Sequence, residues 1–408
     1  MKLTSKKLNN DNRSTERGAA LVTVLLVATL LLAAGGALLL TTSMATTLAV
    51  DSSAEGQAYY AAEAGVNSTL NVLRGAVPSN PAGTPATFRN AADNPTLGNW
   101  LNYNGNMGGS SVITLGTAPD LGYAVTLTDP DSKPAGSQPD RLLLQVTGYG
   151  PKGAKKQMEV MVDRFAFYYS AVSTILLRGA DDGTVMTDFA IGDSAAKIYS
   201  GQDNATANAI PAIGVTNVND YNLVAGVIAS SKSTTVSGSA QVQQFGTPQL
   251  PSYLQSADQA RLLLNNLQYT ATSMGRYFTS TPASYGDSSN PLVTFVDGDC
   301  TLVSGAGLLI VTGTLTTQGN PNFNGLIMVL GNGTLTRAGG GNGAAEGAIM
   351  MAKFARTWPA SENGQPHPFL PPYYDTSGGG SSTIQLDSNE ISRALNLTGP
   401  RVVAIREH

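Results

Sequence analysis

From Ala19 to Val50 the chain carries no charged side chain. That is about 30 residues, where about 20 apolar ones suffice to cross a bilayer. Beyond Asp51 the pattern changes. Tyr59, Ala62, Val66, Leu70 and Leu73 recur at spacings of three and four, which is the stripe of an amphipathic helix. No proline interrupts Ala19 to Arg74, and Gly75 is placed to stop a helix. The pattern predicts one helix over 19–75, about 80 Å long, oily all round in its first half and on one face in its second.

A linker rich in proline, asparagine and glycine opens the next region, 76–165. There Val125 and Leu127, then Leu142, Leu144 and Val146, then Met158, Val160 and Val162 alternate with more polar positions. This is the period of half-buried strands, and "GPKG" between Tyr149 and Ala154 has the chemistry of a hairpin turn. An antiparallel sheet on the amphipathic half of the helix is expected. Region 166–408 reads differently, as short strand-like runs between glycines: "LVAGVIASSKSTTVSGSAQVQQFG", "CTLVSG", "LLIVTG", "GLIMVLG", "GTLTRAG". Runs of this kind with frequent tight corners suggest a β-helix; a β-sandwich stays open, because the same strands could pair antiparallel. Two helices are expected inside it, one capped by Ser256 with Leu263 and Leu267 on one face, the other opened by Asp387 and Glu390 at capping-box spacing. The fold class is α+β, mostly β.

Composition agrees with an extracytoplasmic, β-rich chain. Charged residues make up 13% of the 408, with Gly 45 and Pro 21. A net charge of −4 gives no nucleic-acid footprint. One cysteine, Cys300, excludes an intrachain disulfide and a multi-cysteine metal site, and its strand-like setting suits a buried, inert thiol. Residues 1–17 carry Lys2, Lys6, Lys7, Arg13 and Arg17 against Asp11 and Glu16. Basic residues flanking an apolar run keep that end in the cytoplasm. The run is too long, and too unbroken, for the core of a cleaved secretory signal.

"RGAALVTVLLVATLLL" followed by "AYYAAEAGVN" resembles the N-terminal region of type IV pilin-like proteins, specifically the PilX-type minor pilins, over about residues 10 to 75. These share a basic leader ending in glycine, a small first mature residue, a long apolar helix and an "AAEAG"-like segment. The resemblance implies a leader at 1–18, cut by prepilin peptidase between Gly18 and Ala19 on the cytoplasmic side, and a methylated new N-terminus. It implies major and minor pilins and an inner-membrane assembly platform as partners, with residence in the inner membrane, N-terminus inside, before display on the cell surface. One position departs from the major-pilin pattern: the fifth mature residue is Thr23, where major pilins carry a glutamate that neutralises a neighbour's terminal amine. Several minor pilins, and the tip pseudopilin of type II secretion, also lack it, so a minor subunit is implied. "NFNGLIMVLGNGT" and "PRVVAIREH" further resemble a glycine-rich C-terminal domain of other PilX-like proteins.

Candidate chemistry is sparse. His367 and His408 show no metal-ligand spacing. Asp181, Asp182 and Asp188, and Asp297 and Asp299, fall near turns and match no known calcium loop; turn-forming roles are expected. "GGGNGAAEG" lacks the Lys-Ser/Thr of a phosphate loop. No catalytic residue and no cofactor are expected. The expected function is a minor pilin or pilin-like subunit presenting a β-rich head for pilus assembly or adhesion. The alternatives are a membrane-tethered β-helix enzyme acting on polysaccharide and a β-solenoid structural scaffold.

Overall fold

The computed structural model describes residues 12–74, 88–93, 113–115, 121–134, 137–192, 195–231, 235–357 and 368–408. It opens with α1, Asn12–Leu73, a single helix of 62 residues and about 93 Å. Helix therefore extends back beyond the Ala19 that the apolar run suggests. The short α2, Phe88–Asp93, lies against the sheet that follows.

Strands β1 (Ile113–Thr114), β2 (Gly122–Thr128), β3 (Arg141–Tyr149) and β4 (Lys155–Asp163) form an antiparallel meander. The alternation holds through to the core: Val125, Leu127, Leu142, Leu144, Val146, Met158, Val160 and Val162 are all buried and pack with Ala62, Val66, Leu70 and Leu73 of α1. Each such aliphatic burial is worth on the order of 1.5–3 kcal/mol. Pro151–Gly153 turns β3 into β4, and Gly150 N–H donates to the Ala154 carbonyl at 2.8 Å. Lys152 (φ 57°) and Gly153 (φ 78°) both take left-handed conformations there.

The next strands are β5 (Ile175–Arg178), β6 (Asp188–Ile191), β7 (Lys197–Ser200) and β8 (Ile213–Val215). After α2 the next helix is α3, Val218–Ser231, followed by β9 (Val236–Ser237), β10 (Val242–Gln244) and α4 (Ala257–Ser273). The chain continues through β11 (Tyr277–Phe278), β12 (Leu292–Val296), β13 (Cys300–Val311) and β14 (Thr314–Gly331). It then runs through β15 (Thr334–Ala338), β16 (Gly343–Lys353), β17 (Tyr373–Thr376), β18 (Ser382–Gln385) and α5 (Ser388–Asn396).

Ladders between these strands are parallel, so the head is a β-helix and the sandwich alternative falls. Its sides follow from the pairing. β14 pairs β15 through Thr314–Gln318 and β16 through Phe323–Gly331, so one strand turns a corner and serves two sides. The corner leading onto the widest side is a column of Gly307, Gly325 and Gly347, in register with φ of 113°, 140° and 137°. A Cβ on Gly325 would sit 2.0 Å from the carbonyl oxygen of Gly307. Only glycine fits both the dihedral and the space.

That widest side is covered on both surfaces, which explains runs such as "GLLIV" and "GLIMVLG". Leu309, Val311, Ile327, Val329, Ile349 and Met351 point into the β-helix. Their neighbours Leu308, Ile310, Leu326, Met328 and Met350 point outward beneath Leu263, Leu264 and Leu267 of α4 and Ile391 and Leu395 of α5. Both helices start as expected: Ser256 accepts from Gln259 N–H at 3.3 Å, and Asp387 from Glu390 N–H at 3.0 Å. The segment "LVAGVIASS", read as strand in the sequence, is instead helical, within α3. Val224 and Ile228, one turn apart, drop into the β-helix interior. α3 lies between β8 and β9 and contacts β6, so it takes the place of a strand and closes that end of the stack.

Stacking order differs from chain order. Along the widest side it runs β11, β12, β13, β14, β16, β5, β8, β10. The late strands sit before the early ones, and α4, about 25 Å long, carries the chain back along the side between β10 and β11.

The last strand, β19 (Arg401–Glu407), leaves the head and pairs antiparallel with β4, Arg401 opposite Asp163. "RVVAIREH", grouped with the head in the sequence, thus belongs to the small sheet. The head is inserted between two adjacent strands of that sheet. Ala166 N–H donates to Thr398 Oγ1 at 3.1 Å where the two connections pass.

Candidate assembly surface

The first half of α1 is bare. Leu21, Leu25, Leu32, Leu39 and Leu48 are among its exposed side chains, and the helix is long and apolar enough to cross a membrane. Its threonine hydroxyls are satisfied internally: Thr29 donates to the Leu26 carbonyl at 2.9 Å, Thr42 to that of Leu38 at 2.8 Å and Thr46 to that of Thr42 at 2.8 Å. Such back-bonding lets Thr sit in an apolar medium without an unmet donor.

Gly18 and Ala19 lie within this helix, and nothing approaches the position of a Cβ on Gly18 within 4 Å. Thr23 donates its hydroxyl to the Ala19 carbonyl at 2.8 Å. It offers a neighbour no charge. Residues 1–11 of the leader expected at 1–18 lie outside the described residues.

Coverage begins at Ala54, and the "AAEAG" stretch explains how. Ala54, Ala58, Ala61 and Ala62 are buried, and β3 answers with Gly148 and Gly150. A Cβ on Gly148 would fall 2.0 Å from the Ala58 carbonyl oxygen, and one on Gly150 2.5 Å from that of Ala54. On the helix side, a Cβ on Gly65 would meet Val146 Cγ1 at 2.8 Å and the Tyr123 ring at 2.9 Å. Small residues on both partners bring helix and strand to backbone contact, while Glu55, Tyr60 and Glu63 face solvent. The sequence reading missed the packing of Gly148 and Gly150 against the helix; Gly150 was read only as part of the "GPKG" turn. Their signal was two glycines at strand spacing, "TGYG", on the face that should carry apolar bulk.

Most of the acidic candidates are held by nearby donors, several of them from other elements. Asp181 accepts from Arg178 and from Phe369 N–H, Asp182 from Thr184 N–H at 2.8 Å, and Asp299 from Thr314 N–H at 2.7 Å. Asp188 opens β6, exposed. Asp297 accepts from Tyr277 Oη at 2.7 Å and Thr312 Oγ1 at 2.9 Å and pairs with Arg356. Burial alone pushes its carboxyl upward, but these hydrogen bonds and the guanidinium outweigh it and hold it below the ordinary value. Cys300 is buried beside Tyr285, Oη to Sγ 3.0 Å, and burial pushes its thiol up, away from reactivity. His408 lies 3.3 Å from Glu159 in the small sheet; His367 is outside the described residues. Among the described residues no cluster of three or more His, Cys, Asp or Glu could hold a metal.

No protein-family model matches the chain. No curated protein matches it either. Among solved structures it is similar to the competence-associated pilin ComZ from Thermus thermophilus, at 12% identity, covering 87% of this chain and 97% of that one, with a TM-score of 0.23. So loose a superposition transfers neither fold nor role.

Proposed function

We propose that this chain is a pilin-like component of a type IV pilus or related filament, and within that class a minor subunit displaying the β-helical head. The observation that carries this reading is the division of α1. One unbroken helix is bare and apolar up to Val50, then buried against the sheet from Ala54. A plain anchor has no use for the second half, whereas a filament subunit needs the first half twice, in the bilayer and then among neighbouring helices.

In this reading prepilin peptidase removes residues 1–18, Ala19 becomes the methylated N-terminus, and major and minor pilins surround the apolar half after extraction by the assembly platform. Thr23 makes the subunit a poor repeating unit: a carboxylate at its position would pair with a buried terminal amine, and an unpaired buried charge is costly. The engaged acids of the head favour display over polysaccharide cleavage. The test is intact-mass and N-terminal analysis of the membrane-derived protein. A chain starting at Ala19, and a Gly18→Val variant left at full length, are expected. A Gly18→Val chain that still starts at Ala19 would overturn the processing step.

A further inference from the structure

The β3–β4 turn sits where α1 leaves its uncharged stretch. Pro151 and Lys152 lie against Thr46, Val50, Ala54 and Gln57. Three lysines gather here. Lys152 reaches to 3.9 Å from Asp51, with both side chains more than half exposed. Lys155 is exposed beside the Tyr149 ring, and Lys156 is 3.8 Å from Glu407. The nearby acids are Asp51, Glu55 and Glu407; ion pairs so long and so exposed hold a lysine weakly.

The helix sets the depth of this turn. Gly18–Val50 is uncharged over about 33 residues, or about 50 Å at 1.5 Å per residue, against about 30 Å of hydrocarbon. Even a tilt of about 40° leaves close to 40 Å to accommodate. The surplus falls on the hydroxyl-rich stretch Thr41–Thr47, which suits the headgroup layer. Lys152, beside Thr46 and Val50, is then within about a Debye length, 8–10 Å, of the lipid charges.

We propose that the β3–β4 turn, through Lys152, Lys155 and Lys156, docks on anionic phospholipid headgroups of the membrane that α1 crosses, and so holds the small sheet against the bilayer until the subunit is extracted. This rests on α1 spanning a membrane. Juxtamembrane lysines favour an anionic surface by about fivefold each, so removing all three should strongly deplete the docked state.

The test uses the full chain with Ala154→Cys carrying a fluorophore; buried Cys300 stays unlabelled. It is reconstituted in phosphatidylcholine vesicles with or without phosphatidylglycerol, each containing a headgroup-quencher lipid. Quenching should rise with phosphatidylglycerol and fall in high salt; that phosphatidylglycerol-dependent rise should be largely lost in K152Q/K155Q/K156Q and partly lost in K152Q alone. Protease resistance of the small sheet verifies that the variants fold. Quenching indifferent to phosphatidylglycerol and to the lysines overturns the docking, as does cross-linking of residue 154 only to another protein. Failure of the chain to stay with vesicles after alkaline washing would instead overturn the membrane span, a separable result.

Discussion

At the scale of single residues, the molecule is governed by where a side chain is forbidden. Gly148→Ala drives a methyl group to 2.0 Å from the Ala58 carbonyl oxygen, and neither backbone can yield without separating α1 from β3. Overpacking of this kind costs about 1–3 kcal/mol where side chains can give, and a backbone clash belongs at or above the upper end. Gly153→Ala, in a spacious turn with φ 78°, is expected to cost only about 1 kcal/mol. Thermal melting of the detergent-solubilised chain would separate the two. Asp297 carries the second residue-scale prediction. Its folded pKa lies below the ordinary 3.8, so its contribution is fully present above about pH 4 and is lost as pH falls through the folded value. Asp297→Asn should therefore lose about 1–2 kcal/mol at neutral pH, and its gap to the parent protein should narrow as the pH falls below about 4, as paired melting curves at pH 7 and pH 3 would reveal. The sequence placed Asp297 near a turn and expected it to form that turn; its carboxylate instead ties neighbouring elements together. Its partners Tyr277, Thr312 and Arg356 were not legible, because three separate elements bring them together.

At the scale of elements, periodicity spoke clearly wherever one period had one cause. The stripe on α1 and the alternation of β2, β3 and β4 each have a single buried face, and each reads true. The widest side of the β-helix is buried on both faces, so its strands read as continuous apolar runs whose pairing direction no pattern reveals. α3 was misread for a related reason: Leu223, Val224, Val227 and Ile228 make a short apolar run that serves a strand or a helix equally well. Only its position over the end of the stack decides. Ile327 tests the element: it points into the β-helix beside Leu309 and Ile349. Ile327→Asp puts an unpaired carboxylate there at a cost of several kcal/mol. Loss of the head's cooperative melt, with the small sheet still protected from protease, is expected.

At the scale of the whole molecule, the two modules are joined as insertion and host. β4 ends at Asp163 and β19 begins opposite it at Arg401, so residues 165–399 can be replaced by a short turn without opening the host sheet. A chain so shortened should keep α1 and the small sheet folded, shown by protease mapping and circular dichroism. Collapse of that sheet would mean the head is needed to hold β4 and β19 together. None of this was legible along the sequence, where "RVVAIREH" follows the head without a break in composition; adjacency of β4 and β19 is a fact of topology.

The permuted stacking order bears on when the head can close. β5, with its edge at Ile175–Arg178, needs β16 at Ile349–Ala352 as its neighbour, and the outer surface of the widest side stays open until α5 at Ser388–Asn396 arrives. A chain synthesised amino end first thus exposes an unpaired parallel edge from β5 until β16 is made, and such distant pairings form late. Truncated chains never reach the state in which that edge is sealed. The arrangement acts as a check of completeness: only a chain made to its last strand presents a closed head on a finished sheet.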